Sequence, residues 1–290
     1  MGANETKPLD KSSDIKEEIK SQETSDSPNV DLCFMLDCTG SMSSYIFMSC
    51  NKIKDIIAQV HQTYPNSEVR VAVVAYRDIQ DGKLRHEVLP FTYSVDTAKG
   101  FLDKLVATGG GDTPEDVNGG FVKTLGLDWK SGVRMLVHIA DAPCHGKEFH
   151  NCDDNHPKGY KGDKDWNKIF KELVEKRLDY LFLKINDSTD KMFEKFKALA
   201  GKHGAVQAEI TFEQQLANIE PMNDYPRCSD FVRGGLTSLC EEKATGESEE
   251  FVRTTSVFVS EKNQAHFANV ISGTINTRIQ REVCKNKVTK

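Results

Sequence analysis

The sequence predicts an α/β fold: a central, mostly parallel sheet with helices on both faces. Three observations point there. Continuous apolar runs recur along the chain, among them 32–36, 69–76 and 133–140, as expected for strands buried on both faces. Between them lie segments whose apolar residues repeat at spacings of three and four, the pattern of a helix with one buried stripe. Strands alternating with helices imply right-handed crossovers, which cover both faces of the sheet.

The elements follow in order. Leu32 to Leu36 forms the first strand, bounded by polar residues. A helix over about 43–62 places Ile46, Cys50, Ile53, Ile57 and Val60 on one stripe. Val69 to Tyr76 is the second buried strand. Residues 86–91 read as a short edge strand, because Pro90 would interrupt a central ladder. A helix over about 95–106 runs into Gly109-Gly110-Gly111. The next helix begins near Pro114, with Thr113 placed as its N-cap. Val133 to Ala140 is a strand and 142–163 a long irregular loop. A helix around Trp166 to Val174, a strand Tyr180 to Ile185, a helix Met192 to Leu199 and a strand Ala205 to Ile210 complete the series. Beyond 213 the pattern weakens. Amphipathic helices are expected over about 226–241 and 264–284, with a strand Thr255 to Val259 between them. The second helix carries Phe267, Ile271, Ile275, Ile279 and Val283 at four-residue spacing.

Composition narrows the function classes. With 38% hydrophobic and 28% charged residues, the 290-residue chain is that of a globular domain with appendages. A net charge of −6 speaks against a general nucleic-acid binder, and the basic residues Arg278, Arg281, Lys285, Lys287 and Lys290 read as a solvated helix end. No stretch approaches the ~18 consecutive apolar residues of a membrane span. The amino terminus lacks the apolar core of a secretory signal, so the eight cysteines read as reduced thiols and the compartment as cytoplasmic. Residues 1–28 carry seven acids and four lysines with few apolar residues, and are expected to be disordered. Within them Met1-Gly2 and Thr6 fit the N-myristoylation pattern, which makes Gly2 a candidate lipidation site. One such chain would give weak, reversible association with a membrane. A chance match in the tail is the alternative.

The residues that follow the strands carry the chemistry. Asp37-Cys38-Thr39-Gly40-Ser41 follows the first strand. Asp112-Thr113-Pro114-Glu115-Asp116 follows the glycine run, and Asp141-Ala142-Pro143 follows the fourth strand. Ligands of such sheets bind at the carboxyl ends of strands, where the strand order reverses. The donors are hard oxygens, suited to Mg²⁺, Mn²⁺ or Ca²⁺. Mg²⁺ takes six oxygens near ~2.1 Å and keeps several waters, so a set of hydroxyls and two carboxylates leaves a position for water or an incoming acid. Taken singly, each motif is equally well explained as a helix cap.

Together, Asp37-Cys38-Thr39-Gly40-Ser41, Gly110 to Thr113 and Ile139 to Asp141 resemble the metal-ion-dependent adhesion site of von Willebrand factor A (vWA) domains. That site is D-x-S-x-S with a Thr and an Asp from later loops. The resemblance covers about 31–212. It implies a Rossmann-like vWA fold and a Mg²⁺ ion (Mn²⁺ or Ca²⁺ as alternatives) on Asp37, Thr39, Ser41, Thr113 and Asp141. It also implies a protein partner that supplies an Asp or Glu to the metal. Thr39 departs from the pattern's Ser but keeps the hydroxyl. A narrower resemblance, through Gly109 to Val117, His138 to Gly146 and Lys184 to Met192, is to the vWA portion of alpha-type protein kinases. No kinase domain is expected here, since neither its Gly-rich loop nor its zinc cluster stands after 213.

The expected organisation is a disordered tail over 1–28, a vWA domain over 29–242 and a carboxyl-terminal extension over 243–290. The expected function is metal-dependent protein binding without catalysis, as a scaffold or subunit of an intracellular assembly. Oligomeric state stays open. Two alternatives stand beside it: a structural subunit with a vestigial metal site, and a Mg²⁺-dependent phosphotransfer enzyme with Asp37 as nucleophile. Against the second, Thr39 stands where a second acid is needed. The loop residues Cys144, His145, His150, Cys152, Asp153, Asp154 and His156 invite a zinc site, yet their spacing fits no closed pair of ligands and mutual hydrogen bonding explains them equally. Gly109 to Gly111 lacks the Gly-Lys-Ser/Thr of a phosphate loop. Cys144 beside His145 says nothing of catalytic geometry.

Overall fold

The computed structural model describes residues 28–207, 253–258 and 267–288. The sheet is built outward from β1 (Val30–Asp37), all of whose residues are buried. On one side β1 pairs in parallel with β2 (Val69–Tyr76), and on the other with β4 (Val133–Ala140). β3 (His86–Thr92) adds to β2 antiparallel at the edge. Its register shifts between the Val73–Leu89 and Val71–Thr92 pairs, and Pro90 falls in that irregular stretch, where no ladder donor is needed. Beyond β4 lies β5 (Asp179–Lys184). Then come β7 (Arg253–Phe258) and the two-residue β6 (Val206–Gln207), so the described strands run β3-β2-β1-β4-β5-β7-β6.

The carboxyl-terminal region thus supplies a strand to the sheet: β7 pairs in parallel with β5 from Tyr180–Thr254 to Lys184–Phe258. Its helix, α6 (Phe267–Val288), buries Ile271, Ile275 and Ile279 completely, as the four-residue spacing requires. Arg278, expected in a solvated helix end, is only 6% exposed. Its Nε lies 2.7 Å from Asp179 Oδ2 and its Nη1 3.0 Å from Glu282 Oε1. An acid at the start of β5 draws this turn of α6 against the sheet, which sequence spacing within the helix does not reveal. The helix expected over 226–241 and the tail over 1–27, Gly2 included, lie outside the described residues.

Alternate residues of β1 point to opposite layers. Leu32, Phe34 and Leu36 pack with α1 (Ser43–Thr63), α2 (Val95–Leu102) and α6. Cys33 and Met35 pack with α3 (Val117–Leu125), α4 (Trp166–Glu175) and α5 (Asp190–Gly201). Both faces are therefore covered, which explains the unbroken apolar runs. At Gly120 α3 comes so close to the sheet that an added Cβ would meet Tyr76 Cδ1 at 3.0 Å and Met35 Sδ at 3.2 Å. Gly120→Val is expected to destabilise the fold by about 1–3 kcal/mol through overpacking, read as a lowered denaturation midpoint; a midpoint at or above wild type would contradict this close approach.

Candidate metal centre

β1 feeds β2 and β3 on one side, and the chain then returns to β4 on the other side of β1. The strand order therefore reverses between β1 and β4, where a crevice opens at the carboxyl ends. Asp37 is the last residue of β1, Asp141 directly follows β4, and the ladder pairs Leu36 with Ile139. The two acids stand on neighbouring strands. The third loop is fastened to both: Thr108 N donates to Cys38 O (3.1 Å) and Glu115 N to Pro143 O (2.9 Å). Gly109 and Gly110 have φ of 84° and 80°, a backbone open to glycine, and Gly110 N donates to Asp81 Oδ2 at 3.0 Å.

These loops surround a cavity of about 440 Å³ lined by Thr39, Ser41, Thr113 and Asp141, together with Gly109 to Asp112, Glu115, Asn186 and Ser188. Four of the five expected ligands reach its wall, and Asp37, completely buried, bonds to the Thr39 side chain there.

The capping explanation of the motifs fails locally. α3 does not start at Pro114 under a Thr113 cap. Its N-cap is Asp116, whose Oδ1 accepts from Gly119 N at 2.9 Å. Residues 113–115 are instead drawn aside by the bridge between Glu115 and Cys144, which leaves the Thr113 side chain exposed at the cavity. Thr39 precedes a short 3₁₀ turn, Gly40–Met42, and makes no side-chain cap to it. Its hydroxyl donates to Asp37 Oδ1 at 2.6 Å, and its N–H donates to the same oxygen at 2.9 Å.

What remains is a set of bare oxygens. Asp37 Oδ2, Asp141 Oδ1, Asp112 Oδ1 and Glu115 Oε2 are buried without a hydrogen-bond partner. Buried polar atoms are seldom left so, and a bound cation is one of the few explanations. Burial, then the Asp141 charge, pushes the Asp37 carboxyl up to about 7 against the hydrogen bonds from Thr39. Burial and the charges of Asp37, Asp78, Asp81 and Asp112 push Glu115 up to about 10. Carboxylates crowded and buried at one crevice want either protons or a cation. The donor set, carboxylate and hydroxyl oxygen on separate loops, fits a hard divalent ion. Sequence reading leaves Asp112 and Glu115 out of the ligand set, though both stand in the quoted motif. Asn186 and Ser188, after β5, stand in the quoted Lys184 to Met192 segment but are not among the expected ligands.

The histidine-rich loop resolves around Asp154. Its Oδ1 meets His145 Nδ1 (2.8 Å) and accepts from His156 N (2.6 Å). Its Oδ2 meets His150 Nε2 (3.0 Å) and accepts from Gly146 N (2.8 Å). The other His145 nitrogen, Nε2, lies 2.9 Å from Asp78 Oδ1, and Cys152 Sγ lies 3.1 Å from His150 Nδ1. Cys144 is buried and its amide meets Met192 Sδ at 3.2 Å. Burial opposes a charge on His145, but Asp78 and Asp154 outweigh it and hold the imidazole protonated up to about 9. The loop thus spends its polar groups largely on one another and docks against the acidic crevice through Asp78.

Residues 31–151 match the family model described as von Willebrand factor A domain. Over these residues the chain is similar to von Willebrand factor A domains. It is 31% identical over 158 residues to "Alpha-protein kinase vwkA" of Dictyostelium discoideum, covering 54% of this chain and 25% of that protein. It is 30% identical over 126 residues to "Putative ariadne-like RING finger protein R811" of Acanthamoeba polyphaga mimivirus, covering 43% and 12%. The chain therefore spans a quarter or less of the relatives it matches. Among solved structures it resembles the vWF domain of the type V pili tip protein Mfa5 from Porphyromonas gingivalis, with 16% identity, a TM-score of 0.31, and 41% and 39% of the two chains covered. Domains of this class are typically protein-interaction modules, often with a divalent metal, rather than enzymes. Among the described residues no helix is long and apolar enough to cross a membrane.

Proposed function

We propose that the vWA domain of this chain binds a protein partner through a Mg²⁺ ion held by Asp37, Thr39, Ser41, Thr113 and Asp141, with Mn²⁺ or Ca²⁺ as substitutes. The observation that carries this reading is the pair of buried, partnerless oxygens, Asp37 Oδ2 and Asp141 Oδ1, on neighbouring strand ends at one crevice. Thr39 anchors the other Asp37 oxygen and so fixes the rotamer that leaves Oδ2 without a partner. Thr113, released from capping, brings a third loop. When bound, the ion supplies a positive centre for an Asp or Glu of the partner. Asn186 and Ser188 complete the rim that such a side chain would pass.

The role that follows is a scaffold or subunit of an intracellular assembly, without catalysis of its own and without nucleic acid. Weak membrane association would follow from acylation of Gly2. Hydrogen bonds from the Thr39 amide and hydroxyl to Asp37 Oδ1 favour a ligand over a phosphotransfer nucleophile, and failure to trap an acyl-phosphate on Asp37 is expected.

Calorimetric titration of the full chain should show Mg²⁺ uptake that Asp37→Ala abolishes. A partner retained from native extract in Mg²⁺ should be released by EDTA. Retention that survives both EDTA and Asp37→Ala would favour the structural subunit with a vestigial site.

A further inference from the structure

We propose that Asp78, Asp112 and His145 form a second cation site, of the class that binds Zn²⁺, beside the first crevice and using none of its five proposed ligands. One ligand atom from each residue lies within 4.8 Å of the others. Asp78 and His145 are 2% and 4% exposed. His145 presents Nε2 to Asp78 Oδ1 at 2.9 Å while Nδ1 is held by Asp154 Oδ1 at 2.8 Å. A carboxylate on the far nitrogen is how proteins orient a metal-binding imidazole and raise its basicity. Asp154 is itself fixed by the Gly146 and His156 amides.

Asp112 is prepared in the same way. Its Oδ2 accepts from Asn155 N at 2.6 Å, so the loop that carries the histidines positions it, while Oδ1 is buried without a partner. The wall that Asp112 shares with the first cavity carries a further unsatisfied oxygen. Glu115 is 4% exposed, its Oε2 has no hydrogen-bond partner, and it lines the same cavity as Asp112. One imidazole nitrogen with carboxylate oxygens suits Zn²⁺ and its neighbours, whereas Mg²⁺ favours oxygen and water.

The ion would take the place of a proton on His145 Nε2, which leaves to solvent as the metal binds. None of the five ligands proposed for Mg²⁺ is used. Asp112 nevertheless adjoins Thr113, so a Zn²⁺ ion here would tie the loops after β2 and β4 to the glycine-rich loop and steady one wall of the first site.

The test is calorimetric titration of Zn²⁺ into the chelator-stripped full chain in excess Mg²⁺. One Zn²⁺ per chain is expected, its affinity falling at least about tenfold in His145→Gln and in Asp112→Asn, and persisting in Asp37→Ala. Co²⁺ in its place should give visible d–d bands that Asp112→Asn weakens. Should His145→Gln fail to fold, Asp112→Asn decides, since only its own partnerless oxygen and one amide contact are touched. No Zn²⁺ uptake in excess Mg²⁺ overturns the proposal. So does uptake that survives Asp112→Asn but is lost in Asp37→Ala, which would place the Zn²⁺ in the first site.

Discussion

Asp31→Ala is expected to lower the unfolding free energy by about 3–5 kcal/mol, because it leaves a buried guanidinium without its anion. The Asp31 carboxylate is fully buried and takes five hydrogen bonds. Arg70 gives two, at 2.8 and 2.7 Å. The Lys130 and Ser131 amides give two more at 2.7 and 3.0 Å, and the Ser131 hydroxyl one at 2.6 Å. Burial opposes the charge, but these donors hold the carboxyl below its usual range. One side chain thus joins the amino-terminal ends of β1 and β2 to the turn that enters β4, opposite the metal crevice. Urea melts supply the measurement. An exposed pair gives the control: Lys54 and Asp96 lie 2.9 Å apart with side chains 56% and 86% exposed, and Lys54→Ala should change stability by less than about 0.5 kcal/mol. The apolar pair Asp31→Leu with Arg70→Met should not restore full stability, because two backbone amides would still lack an acceptor. A loss below about 1 kcal/mol for Asp31→Ala would show that the network contributes little.

That network also marks where sequence reading stops. An Asp at the edge of an apolar run reads as a boundary, yet Asp31 lies inside β1 and is as buried as Phe34. Periodicity locates the strands and helices because it reports burial. It is silent about polar residues buried in pairs, whose partners stand 39 and 100 positions away. Four of the five expected oxygen donors were legible because they end or follow a strand, and strand ends converge in a parallel sheet; Thr113 stands in the loop between α2 and α3. The start of α3 was not, since Thr113-Pro114 has the local chemistry of a cap and only the long-range bridge from Glu115 to Cys144 displaces it. Asp78 was invisible for a similar reason: it follows a strand as Asp37 does, but its partner lies 67 residues on, in a loop without periodicity.

A second large effect is expected at acid pH and comes from His138. Its ring sits at the centre of the sheet, with Nε2 2.8 Å from the Tyr76 hydroxyl and Nδ1 2.8 Å from the Tyr180 hydroxyl. Phe121 and Phe182 rings lie beside it, with centroids 5.9 and 5.0 Å away. No charged group offsets its burial, which drives the imidazole down to about 3. The unfolded chain therefore takes up a proton at His138 near the ordinary ~6.5, while the folded chain refuses it until about 3. Stability from this residue is complete above ~6.5 and declines as pH falls through that window, at up to about 1.4 kcal/mol per pH unit. Asp31 and Asp154, held below the usual carboxylate range, act in the same direction only at lower pH. Asp37, pushed up to about 7, acts in the opposite one. Glu115, pushed up to about 10, does the same, so between about 6.5 and 4.5 His138 is isolated as the difference between wild type and a variant that lacks it. His138→Gln keeps a donor and an acceptor for the two tyrosines but cannot titrate, so it should cost some stability at pH 7 and differ from wild type by about one proton in the slope of stability against pH from 6.5 to 4.5. If wild type and His138→Gln lose stability in parallel from pH 6.5 to 4.5, some other group takes up the proton, and the tyrosine–histidine–tyrosine chain does not exclude charge from the centre of this sheet.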